Sequence, residues 1–253
     1  MLSIELQQLV DWCEQTLGSA QFKDYCPNGL QVEGRASVRK IISAVSASQS
    51  VIQLAIEAEA DAILVHHGYF WKGEDAVLTG MKADRIRQLM QHDISLIAYH
   101  LPLDAHPTLG NNIALADLLG FTTTGSLQPN QAQPIGNVGT CAPMSALQMS
   151  AHLTQQLGRP ILHLDGGPAQ IQRVGWCTGA AQDLIHAAYA QGCDAYISGE
   201  VSERTFYEAQ ELGIHYFACG HHATERGGVQ RLGQAIAEQF TICVQFVDTG
   251  NTV

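Results

Sequence analysis

The chain has 253 residues, of which 46% are hydrophobic and only 15% are charged, and its formal net charge at pH 7 is −11. This composition supports a sizeable core and excludes a disordered chain. Because an acidic surface repels phosphate backbones, DNA and RNA are disfavoured as partners, whereas a small nucleotide arriving at a metal is not. The seven cysteines form no C-x-x-C pair, which indicates reduced thiols and a cytoplasmic protein.

From the N-terminus onward, the pattern predicts alternating helices and strands. Residues 1–15 are amphipathic and acidic, which favours a helix over a signal peptide. No apolar run approaches the roughly 18 residues that a membrane-spanning helix needs. Short apolar runs typical of strands and helical patterns follow, with strands expected at 41–45, 62–65, 94–99, 174–177, 195–197 and 214–219, and helices at 49–60, 82–91, 111–119 and 181–191. This alternation predicts a layered α/β fold.

The second half of the chain resembles the first. Residues 38–67 align without a gap with residues 171–200, and the identities include Asp61 with Asp194. We interpret the match as an ancient duplication, and the alternative is two ordinary strand–helix–strand units of similar composition. Residues 122–140 are rich in Thr, Gln, Pro and Gly and are expected to separate the halves.

Polar side chains follow the apolar runs where ligands gather in open α/β sheets, beyond the carboxyl ends of parallel strands. His66 and His67 come directly after the run AILV, and the following Gly68 permits a turn that directs both rings to one cavity. The alternative is a pair of hydrogen-bonding or surface histidines.

A second group follows the next run, at residues 100–106. Pro102 stiffens this turn, and Asp104 supplies an oxygen that can bridge two divalent ions. Taken alone, Asp104 equally suits a helix cap or turn cap. His100 suits a second-shell role, and we predict it as a candidate proton shuttle, because a histidine titrates near neutrality.

A third group lies at residues 220–228. His221 and Glu225 are four residues apart, so on a helix they share one face and can hold a metal jointly. The spacing is not H-E-x-x-H, which excludes a zincin protease. His222 is a second candidate proton shuttle. Arg226 is a candidate substrate ligand for phosphate, although a surface salt bridge explains it as well.

The mixed nitrogen and oxygen donors suit Fe, Zn, Mn, Co or Ni, and the sequence does not choose among these ions. Two such ions about 3.5–4 Å apart lower the pKa of a shared water and hold a reacting oxygen. Beside His67, the segment GYFWKG at 68–73 offers aromatic rings for a base and Lys72 for a phosphate. Packing of these rings in a loop or subunit contact is the alternative.

Five motifs carry a resemblance to the NIF-three-like family, also called the GTP cyclohydrolase I type 2 family. They occur in the family's order: NGLQV at 28–32, ILVHHGYFWKG at 63–73, YHLPLDAHPTLGNN at 99–112, SGEVSE at 198–203 and GHHATERGG at 220–228. The resemblance implies two intertwined, duplicated α/β domains with mixed sheets. We expect a first domain at 1–125, completed by 222–253, and a second domain at 126–221.

The same resemblance implies a dinuclear metal centre and a toroidal homohexamer. The family's ligands map onto His66, His67, Asp104, His221 and Glu225. From this resemblance we expect the protein to be a metal-dependent hydrolase that acts on a nucleotide such as GTP, as a cyclohydrolase does. The alternative is a non-catalytic metal-binding or scaffold protein that forms a ring.

Overall fold

The computed structural model describes residues 2–253. Within that range, strands and helices alternate along most of the chain. In chain order the elements are β1 (Ile4–Glu5), α1 (Leu6–Leu17), β2 (Gly29–Val32), β3 (Ser37–Val38), β4 (Lys40–Ser46), α2 (Gln49–Glu57), β5 (Ala62–His67), α3 (Gly80–Gln91), β6 (Ser95–Ala98), α4 (Leu101–Ala105), α5 (Asn111–Leu119), β7 (Thr122–Ser126), β8 (Asn137–Met144), α6 (Ala146–Leu157), β9 (Leu162–Leu164), β10 (Ile171–Cys177), α7 (Ile185–Ala190), β11 (Ala195–Ser198), α8 (Glu203–Leu212), β12 (His215–Ala218), α9 (His221–Thr224), α10 (Arg226–Phe240) and β13 (Cys243–Phe246).

The chain divides into two compact units. The first unit holds the described residues up to Leu103 together with Gly228–Gly250, and the second unit holds Asp104–Gly227 with Asn251–Val253. The domain boundaries expected near residues 125 and 222 stay a prediction. The segment 122–140 lies within the second unit, where its two ends belong to the strands β7 and β8. The β-branched residues at 122–124 favour a strand there.

The first unit is built on a five-stranded sheet in the order β13-β4-β5-β6-β2. The strands β13, β4, β5 and β6 are parallel, and β2 pairs with β6 in the antiparallel direction. Alternate residues of β4, such as Ile42 and Ala44, pack into one core with Ile52 of α2 and Leu89 of α3. On the other face α10 approaches closely, because a Cβ at Gly233 would lie 3.0 Å from Val244 Cγ1.

The N-terminal helix begins later than its amphipathic pattern predicts. Ile4 and Glu5 instead form β1, which pairs with Val38 and Ser37 of β3. The available hydrogen-bonding partner therefore overrides helix propensity in the first residues.

The second unit is built on a six-stranded sheet in the order β7-β8-β10-β11-β12-β9. The strands β10 to β12 are parallel, their outer neighbours β8 and β9 are antiparallel to them, and β7 pairs with β8 in the antiparallel direction. Consecutive residues of β11 enter different cores, since Ile197 packs with Trp176 and Tyr196 packs with Tyr216. Both faces of this sheet are covered, which explains the continuous apolar runs in its strands.

The two units use equivalent hydrogen bonds at their aligned positions. Asp61 Oδ2 accepts the backbone N–H of Arg39 at 2.7 Å and of Lys40 at 3.0 Å. Asp194 Oδ2 accepts the N–H of Gln172 at 2.9 Å and of Arg173 at 2.8 Å. In each unit, the aspartate just before one parallel strand therefore holds the start of the neighbouring parallel strand. The gapless alignment of the halves predicts that the two aspartates occupy equivalent positions.

The predicted fold class, α/β with mixed sheets, is confirmed. Among residues 2–253, no helix has both the length and the apolar character required to cross a membrane.

Candidate functional site

His66 and His67 form the last two residues of β5, between the carboxyl ends of the parallel strands β4 and β6. His66 is fully buried, and its Nδ1 lies 2.9 Å from the carbonyl oxygen of Tyr99. A carbonyl only accepts hydrogen bonds, so Nδ1 carries the proton and the lone pair is on Nε2. This is the tautomer in which a histidine ligates a metal.

The two neighbouring rings lie on the same side of the strand end. Their centroids are 4.5 Å apart. The ring of His66 is held toward the end of β6, whereas His67 Nδ1 lies 3.1 Å from Ser46 Oγ at the end of β4. The expected turn at Gly68 is therefore not what brings them together, because both histidines remain in the strand. Gly68 instead allows the side chain of Gln31 to approach the backbone closely, since a Cβ at residue 68 would lie 2.1 Å from Gln31 Oε1.

His100 joins these histidines and is oriented by Asp24. The ring nitrogens of His66, His67 and His100 all lie within 4.8 Å of one another. His100 Nδ1 is 2.7 Å from Asp24 Oδ1, while Asp24 Oδ2 accepts hydrogen bonds from Asn28 Nδ2 and from the backbone N–H of residue 101.

Asp24 remains ionised in this setting. Burial raises the pKa of its carboxyl, but the hydrogen bond and charge of His100, with the donors of Asn28 and Tyr25, bring the pKa below its ordinary value. An anion at this point accepts Nδ1–H of His100 and leaves Nε2 to act as a base.

In the second unit, Asp104 is buried and hydrogen-bonded through Oδ1. Asn111 Nδ2 donates to it at 2.9 Å and Thr178 Oγ1 donates at 3.2 Å. Asp104 belongs to the five-residue helix α4, and Thr178 directly follows β10. The carboxylate is thus fixed in orientation by side chains from two other elements.

His221 and Glu225 of the same unit are in direct contact. His221 begins the four-residue helix α9 and Glu225 directly follows it, so the four-residue spacing keeps both on one side. His221 Nε2 lies 3.0 Å from Glu225 Oε2, and its Nδ1 lies 2.7 Å from Glu200 Oε1. A carboxylate that accepts Nδ1–H directs Nε2 to a metal, as in many carboxylate–histidine–metal arrangements.

Gly179 makes room for this pair. Its φ is +70°, and a Cβ there would lie 2.1 Å from Glu225 Oε1 and 3.2 Å from His221 Nε2. Glycine is required both by the left-handed backbone and by the space.

The carboxylates of Asp104 and Glu225 are 7% and 2% exposed and have oxygens within 4.8 Å of each other. Burial, followed by the negative charges of these two groups, raises the pKa of the Cys177 thiol well above its ordinary value. The two negative charges therefore act on Cys177 as well as on each other.

These groups fit a divalent transition metal. Imidazole nitrogens and carboxylate oxygens are the donors that Fe, Zn, Mn, Co and Ni accept, and a cation stabilises neighbouring buried carboxylates. The buried histidine and carboxylate groups are therefore able to bind metal ions.

The remaining predicted site residues have less distinctive positions. His222 is buried, and its backbone N–H donates to the carbonyl oxygen of Val253 at 2.9 Å. Lys72 is exposed. Arg226 Nη2 donates to the carbonyl oxygen of Leu157 at the end of α6, at 3.1 Å. Tyr69 is buried and donates its hydroxyl to the Ala47 carbonyl oxygen at 2.8 Å, so its ring packs the fold as the alternative reading of that segment expects.

Sequence reasoning assigned no role to two residues that orient candidate site residues, Asp24 beside His100 and Glu200 beside His221. Glu200 was recognisable, because the gapless alignment of the halves places it opposite His67. Asp24 had no such signal, since it meets His100 across a separation of 76 residues.

The chain belongs to the Duf34/NIF3 (NGG1p interacting factor 3) family, whose model matches residues 4–252. The resemblance stated from the motifs is therefore confirmed.

Named relatives match over nearly the whole chain. A protein of Pseudomonas aeruginosa called "GTP cyclohydrolase 1 type 2 homolog" is 50% identical and covers 99% of both chains. An Escherichia coli protein of the same name is 47% identical, again over 99% of both chains. A solved structure described as protein ybgI, of unknown function, is 45% identical, superposes with a TM-score of 0.95, and covers 99% of this chain and 100% of its own.

Proposed function

We propose that this protein is a dinuclear metal-dependent hydrolase that acts on a nucleotide such as GTP. The proposed ligands are His66 and His67 in the first unit and Asp104, His221 and Glu225 in the second. The proposed cofactor is a pair of divalent transition-metal ions chosen from Fe, Zn, Mn, Co and Ni. The name of the relatives, GTP cyclohydrolase 1 type 2 homolog, supports GTP as the first substrate to test.

The observation that carries the proposal is the pair of buried carboxylates, Asp104 and Glu225. Two negative charges on oxygens within 4.8 Å of each other repel by at least about 3 kcal/mol at an effective dielectric constant of ~20. Desolvation adds several kcal/mol for each ion unless a counter-charge is present. The carboxylates of Asp104 and Glu225, together with His221 oriented by Glu200, therefore favour the binding of cations.

Bound divalent ions would supply Lewis-acid polarisation of a substrate oxygen and a lowered pKa for a water. The protein's own contribution to proton transfer is proposed to come from His100. With Nδ1–H donated to Asp24, His100 accepts a proton at Nε2 and then returns it to the leaving group.

The indole ring of Trp71 next to His100 supports a substrate that contains a nucleobase. The ring of Trp71 meets His100 edge to face at 5.0 Å, and its Nε1 donates to the carbonyl oxygen of Gly68. We propose that Trp71 contacts the purine, and that the exposed Lys72 and the guanidinium of Arg226 contact phosphates. His222 is retained as a second proton-shuttle candidate.

The test uses protein stripped with a chelator, reloaded with one ion at a time and assayed against GTP and a nucleotide panel. We expect Glu225→Gln to lose both metal and turnover. His100→Gln is expected to keep its metal and lose about 10²-fold or more in kcat, the usual contribution of general acid–base catalysis. His186→Gln is the matched control, because that imidazole is exposed and far along the chain from these groups.

Turnover by Glu225→Gln at the wild-type rate would refute the proposed ligand role. Full metal loading without turnover of any substrate in the panel would instead favour the non-catalytic metal-binding or scaffold protein.

We further propose a cytoplasmic homo-oligomer, with a hexamer as the expected state. An exposed apolar patch on and before α3 supports an interface: Leu78, Met81 and Met90 are each at least half exposed. Patches of this kind mark protein–protein contacts. The seven cysteines are all free thiols, which fits a reducing compartment. Light scattering coupled to size-exclusion chromatography measures the number of subunits.

A further inference from the structure

A second group of metal-binding side chains lies at the edge of the six-stranded sheet, within the second unit. It consists of His163, Asp165 and His215, which we call the edge cluster. One nitrogen or oxygen of each residue lies within 4.8 Å of the corresponding atoms of the other two. None of the three belongs to the proposed hydrolase site.

The register of the sheet brings the edge cluster together. The edge strand β9 pairs in the antiparallel direction with β12, and His163 is opposite Phe217. Because side chains alternate along a strand, His215, two residues before Phe217, points to the same face as His163. The rings of His163 and Phe217 stack at 4.7 Å with an interplanar angle of 14°, which holds the imidazole in place. Asp165 follows His163 at the same two-residue spacing.

Two donor–donor distances in the edge cluster match those between ligands of a tetrahedral metal. His215 Nδ1 lies 3.1 Å from His163 Nε2 and 3.2 Å from Asp165 Oδ1. Ligand bonds of about 2.0–2.1 Å to Zn²⁺ at tetrahedral angles place neighbouring donor atoms about 3.3 Å apart.

The hydrogen bonds of His215 leave its Nδ1 as the atom that can ligate a metal. Its Nε2 lies 2.9 Å from the carbonyl oxygen of Pro168, so Nε2 carries a proton and donates it. In the neutral ring, the lone pair is then on Nδ1, facing the Asp165 carboxylate. That lone pair lies 3.1 Å from His163 Nε2 and 3.2 Å from Asp165 Oδ1, so either a proton donated by His163 or a metal ion bound by all three groups satisfies it.

The loop after β9 is shaped around this ring. A Cβ at Gly167 would lie 2.5 Å from His215 Cδ2, so only glycine allows the chain to pass and present the Pro168 carbonyl. A carbonyl that accepts the second N–H of a ligating histidine fixes the tautomer and orientation of the ring.

We propose that the edge cluster binds one divalent transition-metal ion, with Zn²⁺ as the reference ion, through His163 Nε2, His215 Nδ1 and a carboxylate oxygen of Asp165. The Asp165 side chain is 83% exposed, so the ion reaches the site from solvent and a fourth position is open to water. The ion would link the edge strand and its following loop to β12, in addition to the few hydrogen bonds of a three-residue strand.

The test measures zinc binding by the full chain, after chelator treatment, by equilibrium dialysis against ZnCl₂ and elemental analysis. We expect Asp165→Asn and His163→Gln each to bind one zinc equivalent fewer than wild type. Both positions are at least partly exposed, so these variants avoid the risk that a substitution of the buried His215 prevents folding. His186→Gln, an exposed histidine of the same unit, is expected to keep the full complement.

Cobalt provides an independent readout, because the visible absorption of protein-bound Co²⁺ reports its ligands. We expect a component of that spectrum to disappear in Asp165→Asn and to persist in Glu225→Gln. A zinc stoichiometry and affinity that are the same in wild type, Asp165→Asn and His163→Gln would overturn the proposal, and would show a proton between these groups in place of a metal. Because Glu225→Gln tests the other site, failure of either proposal leaves the other intact.

Discussion

The affinity of the second unit for metal should rise steeply with pH, because a proton occupies His221 when no metal is bound. Burial lowers the pKa of this histidine, but hydrogen bonds and charges from Glu225 and Glu200 outweigh it and raise the pKa to about 9. Both ring nitrogens then lie close to carboxylate oxygens, Nε2 at 3.0 Å from Glu225 and Nδ1 at 2.7 Å from Glu200. A metal that binds Nε2 must displace the proton from that atom.

The size of the effect follows from the raised pKa. With a pKa of about 9, the deprotonated fraction of His221 grows nearly tenfold per pH unit near neutrality and more slowly close to the pKa, so apparent affinity should rise about 25-fold from pH 7 to 8.5. It should level off above pH 9.

The metal-free protein should show the opposite trend in stability. A histidine whose pKa is raised on folding stabilises the fold fully below its unfolded pKa of about 6.5, and that contribution is lost as pH rises through about 9. The maximum loss from this group is about 3 kcal/mol.

A competition titration of metal-stripped protein against a calibrated chelator, repeated across pH 6.5–9.5, measures the slope. Glu200→Gln is the matched variant, because Glu200 is partly exposed and its removal leaves the Glu225 contact in place. With one carboxylate fewer, the pKa of His221 should fall, so that the plateau begins at a lower pH. An affinity that is flat between pH 7 and 8.5 after correction for the chelator, or an identical profile in Glu200→Gln, would contradict this account of His221.

Three further perturbations test the site, the fold and the assembly. Gly179→Ala should destabilise the protein by at least ~1 kcal/mol, since a left-handed non-glycine residue costs about 1–2 kcal/mol. It should also lower metal affinity, because the added Cβ would displace Glu225. Normal metal content and an unchanged urea midpoint would contradict this expectation. Asp194→Asn should cost roughly 1–3 kcal/mol, because two backbone N–H groups lose a charged acceptor, and urea denaturation of this variant beside Asp61→Asn compares the two equivalent aspartates. Met90→Glu, at a position 63% exposed, should reduce the subunit number measured by light scattering, whereas an unchanged mass would remove α3 from the proposed interface.

Much of the fold was readable from the chain. Apolar runs and helical periodicity predicted β4, β5, β10 and β12 to within a few residues, and the fold class followed from their alternation. The match of Asp61 with Asp194 predicted equivalent positions, and the hydrogen bonds show that both residues perform the same task. Short-range patterns of this kind survive in the sequence because each strand or helix must bury its own apolar face.

The candidate ligands were also visible, because polar residues at the ends of apolar strands are conspicuous. The sequence alone named five candidates: His66, His67, Asp104, His221 and Glu225. What orients them could not be named, because Tyr99 and Ser46 reach His66 and His67 through strand register, and Asp24 reaches His100 from 76 residues away.

The amino-acid sequence by itself determined which segments become strands, that the two halves repeat, and which residue types stand at the strand ends. Only the tertiary structure decided which nitrogen of His66 carries its proton, that Glu200 holds His221, and that His163 and His215 meet across 52 residues. The physical reason is that periodicity acts within one element, whereas hydrogen bonds between side chains depend on the pairing and register of elements that are distant in the chain.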